Sequence, residues 1–176
     1  MIKKEITISE EVIYSGRIIT VRRDIADLDG KEVDRELVLH SGGVCVIALT
    51  DKNEVIMVKQ YRYPFSEVLL EVPAGKLEPG EDHRFAALRE LREETGAVPE
   101  HFEYLGVIYP TVAYLNEKIH IYLATGLTFT KTDFDEDEYI DIEKMPLETA
   151  VKMVMSNEIK DAKTIAAVLM AKVKKG

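Results

Sequence analysis

The sequence predicts an α+β fold in which a mixed β-sheet carries helices on its faces. Three observations point there. Short β-branched runs, Val44 to Leu49 and Val55 to Val58 among them, recur with turn residues between them. One long stretch from Asp82 to Gly96 has helical rather than alternating periodicity, and two more lie near the C-terminus. Strands and helices are mixed, with no βαβ periodicity and no internal repeat. At 176 residues and 46% hydrophobic content, the chain is long enough for one well-buried core.

Taken in order, Glu11 to Gly16, Ile18 to Arg22 and Glu36 to His40 read as strands around a turn at Leu28 to Gly30. Three short strands bury little by themselves. Residues 1–40 are therefore expected to form a small antiparallel sheet that packs on the main domain, residues 41–176, or on another subunit. Val44 to Leu49 and Val55 to Val58 flank Thr50 to Asn53, a hairpin signal. Gln60 to Pro64 follows, and Val68 to Pro73 leads into a glycine-bearing loop. Pro79 and Gly80 make a turn, Asp82 is a helix N-cap, and Gly96 with Pro99 is a stop, so a helix of about four turns is expected between them. Phe102 to Tyr109, Ile119 to Ala124 and Tyr139 to Ile142 read as further strands. Helices from Pro146 to Met155 and from Asp161 to Val173 close the chain, the latter with Ile165, Val168 and Leu169 at helical spacing.

The first of these helices carries the chemistry. At about 100° per residue, Glu90, Glu93 and Glu94 share one arc, with Leu88, Leu91 and Thr95 roughly opposite. A single Glu–Glu pair is an ordinary solvated helix face. Like charges at i and i+4, such as Glu90 and Glu94, nevertheless cost an isolated helix a few tenths of a kcal/mol. Arg89, four residues before Glu93, is placed to orient that carboxylate, which leaves Glu90 and Glu94 for a hard divalent ion. Mg²⁺ takes one or two carboxylates, keeps waters and uses the phosphates of its substrate. Beside Gly75, a backbone carbonyl such as that of Ala74 can approach the same ion closely.

Charge and composition exclude other classes. The net charge of −9 leaves no basic stripe for nucleic acid, and an acidic protein that handles a diphosphate needs a cation to do so. Cys45, the single cysteine, lies in an apolar run and reads as a buried strand residue, not a nucleophile. His40, His83, His101 and His120 have no zinc-ligand spacing and read as surface or strand-end residues. No apolar run reaches membrane-span length and no signal peptide opens the chain, so a soluble cytoplasmic protein is expected.

Gly75, Glu81, Arg89, Glu90, Leu91, Glu93, Glu94 and Gly96 stand at the spacing G-x5-E-x7-R-E-U-x-E-E-x-G-U, where U is a bulky aliphatic residue. This resembles the Nudix box. The fixed positions match by accident with odds on the order of one in a million at average residue usage. One position departs: Ala97 stands where a larger aliphatic is usual, and Val98 is expected to fill the space.

Val58 to Tyr63, Glu71 to Gly75, Tyr109 to Thr111, Asn116 to Lys118 and Asp161 to Thr164 extend the resemblance to the ADP-ribose pyrophosphatase branch of the Nudix hydrolases. It covers nearly the whole chain. The resemblance implies an α/β/α sandwich with N-terminal strands exchanged across a homodimer. It implies that Glu90, Glu94 and the Ala74 carbonyl bind Mg²⁺, or Mn²⁺ in its place, with Glu93 beside them. Arg62 matches a substrate contact near the diphosphate, Glu71 and Glu117 match polar positions lining the cleft, and Pro110 matches a proline associated with ADP-ribose specificity. Val112-Ala113 replaces the Pro-Gly that many members carry after that proline.

Asp135 to Glu138 is by composition a solvated acidic turn. In the resembling branch this loop supplies the carboxylate that takes a proton from the attacking water, which makes Glu136 the expected base and Glu138 a metal contact or substitute base. The expected catalytic set is then Glu136, Glu138, Glu93 and Arg89. The implied reaction is Mg²⁺-dependent hydrolysis of a small nucleotide-sugar, ADP-ribose, to AMP and ribose 5-phosphate. GDP-mannose or another sugar nucleotide is the alternative substrate, and a non-catalytic ADP-ribose-sensing domain is the alternative class.

Overall fold

The structure, a computed structural model, describes residues 2–134 and 139–176. By its contacts the chain divides into two units, Met1–Gly42 with Tyr109–Lys118, and Gly43–Ile108 with Ile119–Gly176.

The first unit is an antiparallel meander of β1 (Ile6–Ser15), β2 (Thr20–Asp27) and β3 (Glu32–Leu39) in that order. Asp29 and Gly30 turn the chain between β2 and β3 with φ of 59° and 83°. Leu28 and Lys31 exchange backbone hydrogen bonds across them at 2.8 and 3.3 Å, the two-residue hairpin that an Asp-Gly pair favours. β1 starts earlier than its apolar run indicates, because all ten of its residues are exposed and no buried face constrains their pattern. Tyr109–Lys118 joins this unit through β3. The Val38 N–H donates to Tyr114 O at 2.7 Å, the Asn116 N–H donates to Val38 O at 3.1 Å, and the Asn116 side chain accepts from the His40 N–H at 2.8 Å.

The second unit contains, in chain order, β4 (Gly43–Leu49), β5 (Glu54–Arg62), β6 (Glu67–Glu71), β7 (Ala74–Lys76), α1 (His83–Thr95), β8 (Ala97–Ile108), β9 (Ile119–Phe129), β10 (Ile140–Pro146), α2 (Leu147–Met155) and α3 (Ala162–Lys175). Its sheet runs β10-β5-β4-β9-β8, with β6 paired to β5 and β7 paired to β4. β4 and β9 are parallel and the other pairs antiparallel, which makes the sheet mixed. Every residue of β4 is buried, as a strand covered on both faces must be. Cys45, Ile47 and Leu49 pack with Leu147, Ala150, Ala167, Val168 and Ala171 of α2 and α3. Val44, Val46 and Ala48 pack with Ala86, Ala87 and Leu91 of α1. The result is an α/β/α sandwich in which each buried aliphatic side chain contributes about 1.5–3 kcal/mol.

Cys45 is fully buried, and burial pushes its thiol up to about 12, so it packs and does not react. Ala97 occupies the buried position itself, while Val98 is 37% exposed. The expectation that Val98 fills that space is thus corrected: β8 begins at Ala97, and strand alternation turns the next side chain outward. No helix among the described residues is long and apolar enough to cross a membrane.

Candidate active site

The carboxylate helix α1 is fixed at both ends by local chemistry. The Asp82 side chain accepts from the N–H groups of Arg84 and Phe85 at 2.9 and 3.3 Å. Gly96 ends the helix at φ 70° and donates its N–H to Arg92 O at 2.8 Å. A side chain at Gly96 would also collide with the carbonyl of Thr130. Ahead of the helix, the Glu81 N–H donates to Glu78 O at 3.0 Å and closes the turn.

Helical geometry alone places Glu90, Glu93 and Glu94 on one open arc, but β7 covers part of it. Glu94 is 3% exposed, and its Oε2 accepts from the Ala74 N–H at 3.0 Å. Glu90 lies against the α-carbon of Gly75 so closely that a Cβ there would fall inside its carboxylate. The two carboxylates, one helical turn apart, thus converge on consecutive residues of β7. Gly75 is needed for this approach because no other residue leaves the space.

Arg89 does more than orient Glu93. Its Nε and Nη2 donate to the two oxygens of Glu81 at 3.1 and 3.2 Å, and its Nη1 donates to Glu93 Oε2 at 3.0 Å. The same Nη1 is 2.9 Å from Glu90 Oε1. Three carboxylates therefore share one guanidinium, and neither Glu90 nor Glu94 stands unengaged as the sequence had implied. Arg89 hydrogen bonds hold the Glu81 carboxyl below its ordinary range. Sequence reasoning counted Glu81 in the box but gave it no role, although its fixed spacing of eight residues before Arg89 was the available signal.

The donors at this site are hard oxygens. Among the described residues no group of three or more His, Cys, Asp or Glu side chains is arranged to hold a metal ion. What the chain offers is two carboxylates beside a backbone strand whose Ala74 N–H is already used, the partial donor set that Mg²⁺ completes with waters and substrate phosphates. The residues fit such an ion.

A second charged group lies where β5, β6 and α3 meet. Glu71, 1% exposed, accepts from Arg62 Nε and Nη2 at 2.6 and 2.8 Å, one oxygen to each nitrogen. Lys163 Nζ also donates to Glu71 Oε2, and to Asp161 Oδ2 at 3.0 Å. Burial pushes the Glu71 carboxyl up, and Arg62 with Lys163 outweighs it, leaving the group below its ordinary value. Asp161 caps α3 by accepting from the Thr164 N–H at 3.0 Å and its hydroxyl at 2.5 Å, and Thr164 Oγ1 accepts from the Val72 N–H at 3.0 Å. Asp161 and Lys163 were visible in sequence as part of Asp161 to Thr164, without a role.

Pro110 and Glu117 belong to the first unit, where Glu117 Oε1 is 3.4 Å from His40 Nδ1. Glu136 and Glu138 lie outside the described residues. His83 and His120 are half-buried and stack at 3.9 Å between ring centroids, with His83 Nδ1 2.5 Å from the Tyr122 hydroxyl. His120, second in β9, is the strand-end residue expected, whereas His83 opens α1 and is half-buried because α1 and the β8–β9 pair close around it.

The NUDIX domain model matches residues 39–168. The chain is 41% identical over 168 residues to an ADP-ribose pyrophosphatase of Bacillus subtilis (strain 168), a match covering 94% of this chain and 91% of that one. It is 42% identical, with the same coverage, to the methanol dehydrogenase activator of Bacillus methanolicus. A crystal structure of an ADP compounds hydrolase shares the fold at a TM-score of 0.86, with 21% identity, covering 98% of this chain and 94% of that one.

Proposed function

The chain belongs to the NUDIX domain family, and we propose that it hydrolyses the diphosphate bond of ADP-ribose, yielding AMP and ribose 5-phosphate. Members of the family generally act with a divalent metal, and here we assign Mg²⁺, with Mn²⁺ as substitute. The observation that carries this reading is the convergence of Glu90 and Glu94 on Ala74 and Gly75. The Bacillus subtilis relative supports the substrate.

Glu90, Glu94 and the Ala74 carbonyl would hold the ion. Bound there, it supplies charge neutralisation for the diphosphate and makes water at the site more acidic. Arg89 and Glu93 keep the helix carboxylates oriented. Arg62, held by Glu71 and 37% exposed along its side chain, presents a fixed guanidinium to the substrate's diphosphate. Glu136, with Glu138 as substitute, takes the proton of the attacking water as the phosphorus–oxygen bond to the leaving phosphate breaks. Pro110 and Glu117 are assigned to substrate recognition by the resemblance alone.

A panel of ADP-ribose, GDP-mannose and other sugar nucleotides with Mg²⁺ tests the reading. The expected outcome is AMP release from ADP-ribose with kcat/KM at least about tenfold above that for GDP-mannose. Absence of turnover on every diphosphate would move the protein to the sensing class.

A second copy of the chain is the proposed partner. β1, an edge strand, exposes Ile6, Ile8, Val12, Ile13 and Tyr14 at 53–66% each, and exposed apolar edges are normally covered. Light scattering should give twice the monomer mass, and Ile13→Lys should reduce it; a monomeric wild type would remove the pairing.

A further inference from the structure

We propose that Lys163 is a positioning residue for the substrate-facing Arg62, acting through Glu71, and that Glu71 is its relay instead of a group that touches substrate. The inference rests on the diphosphatase reading above and deepens it.

The geometry assigns the roles. Glu71 is 1% exposed and both of its oxygens are occupied by the Arg62 fork, with Lys163 added on Oε2. A carboxylate so buried, with both oxygens engaged, is not open to a nucleotide. Arg62, in contrast, keeps 37% of its side chain accessible, and its pKa is raised mainly by Glu71, with Glu94 of the carboxylate helix also within electrostatic range. Arg62 is therefore the exposed member of the pair and Glu71 its buried support.

Lys163 explains why the support holds. A lone buried carboxylate resists ionisation, because desolvation favours the neutral form. A second cation on Glu71 offsets that, and Lys163 is itself only 13% exposed, fixed by Asp161 at 3.0 Å. Asp161 Oδ2 gathers Lys163 Nζ, the Thr164 N–H and the Thr164 hydroxyl, so the cap of α3 and the lysine share one anchor. Thr164 in turn accepts from the Val72 N–H, which ties the same helical turn to the backbone just ahead of Ala74. The first turn of α3 thus steadies the segment that carries Glu71 at one end and Ala74 at the other.

The test is a double-mutant cycle with Lys163→Met, Lys163→Arg and Arg62→Ala, joined to heteronuclear relaxation of the Arg62 Nε–H in protein without metal or substrate. Lys163→Met should raise KM for ADP-ribose about tenfold and change kcat less than about threefold. Lys163→Arg should recover most of that loss. In the Arg62→Ala background, Lys163→Met should change kcat/KM less than about twofold, because a residue that works through Arg62 has nothing to act on once it is gone. The Arg62 Nε–H should be rigid in the wild type and in Lys163→Arg, and mobile in Lys163→Met. A purely structural lysine would lower kcat/KM by the same factor in both backgrounds, and that result overturns the proposal, as does an Arg62 Nε–H that stays rigid in Lys163→Met. If the wild type fails to turn over ADP-ribose, the diphosphatase reading falls, while the relaxation measurement still decides the role of Lys163.

Discussion

Two charged clusters of the second unit are built in opposite senses. Around Arg89 a single guanidinium serves Glu81, Glu90 and Glu93, with Glu94 one turn beyond Glu90. Around Glu71 a single buried carboxylate lies between Arg62 and Lys163, and Asp161 balances the lysine. With Arg92 Nη2 also 3.5 Å from Glu93 Oε1, the first cluster sets two guanidiniums against four carboxylates, Glu81, Glu90, Glu93 and Glu94. Carboxylates a turn apart repel by a few tenths of a kcal/mol even in water, and by more where solvent is partly excluded. Such a group is stabilised by any cation that reaches it. The second cluster closes on its own counter-charges and needs no ligand to keep its shape. On the proposed reading, the excess of negative charge is the ion site, and the balanced cluster holds the guanidinium that faces the substrate.

Glu94 is the position most sensitive to substitution. Glu94→Gln keeps an acceptor for the Ala74 N–H, so the fold should persist, but it removes a charge assigned to the ion. We expect kcat with Mg²⁺ to fall by about 10³, with the melting temperature within a few degrees of wild type. Turnover near the wild-type rate would mean that the carboxylate helix does not hold the ion. Gly75→Ala is the next largest change. Its methyl group must displace the Glu90 carboxylate, so the Mg²⁺ concentration giving half-maximal rate should rise about 10- to 100-fold, a loss of the size seen when metal ligands are misoriented. Saturating Mg²⁺ should recover much of the rate. An unchanged metal dependence would show that Glu90 is not at the site.

The carboxylate helix was legible in sequence because its signals are local: Asp82 caps it, Gly96 stops it and its apolar spacing lies within thirteen residues. β4 was equally legible as a continuous apolar run. What could not be seen depends on pairing between distant segments. Glu94 is buried because β7 pairs with β4 and folds over the helix, and nothing in the helix itself records that. Lys163 meets Glu71 across a separation of 92 residues, and His40 meets Asn116 across 76. The latter contact places Pro110 and Glu117 in the first unit, which neither residue's neighbours announce. The resemblance set Arg62, Glu71 and Glu117 along one cleft; burial and partners were needed to see that, of Arg62 and Glu71, it is Arg62 that faces outward.

Acid separates the clusters by the smallest effect. Each contains a carboxylate lying below the ordinary value of 4.5: Glu71, where burial raises it and Arg62 with Lys163 prevail, and Glu81, through its hydrogen bonds from Arg89. In both the folded pKa is lower than the unfolded one. The stabilisation is therefore complete above about pH 4.5 and is lost as pH falls through the folded value. Glu71 is sealed from water, whereas Glu81 is partly exposed and screened. Removing Glu81 also lessens the repulsion felt by Glu90 and Glu93. Melting temperatures measured from about pH 7 to about pH 2 should show Glu71→Gln well below wild type at neutral pH and converging with it in acid. Glu81→Gln should converge in the same way from a smaller gap. Parallel curves for Glu71→Gln and wild type would mean that Glu71 is not held ionised by Arg62 and Lys163, and equal gaps for the two variants would erase the contrast between a sealed, balanced cluster and an open, crowded one.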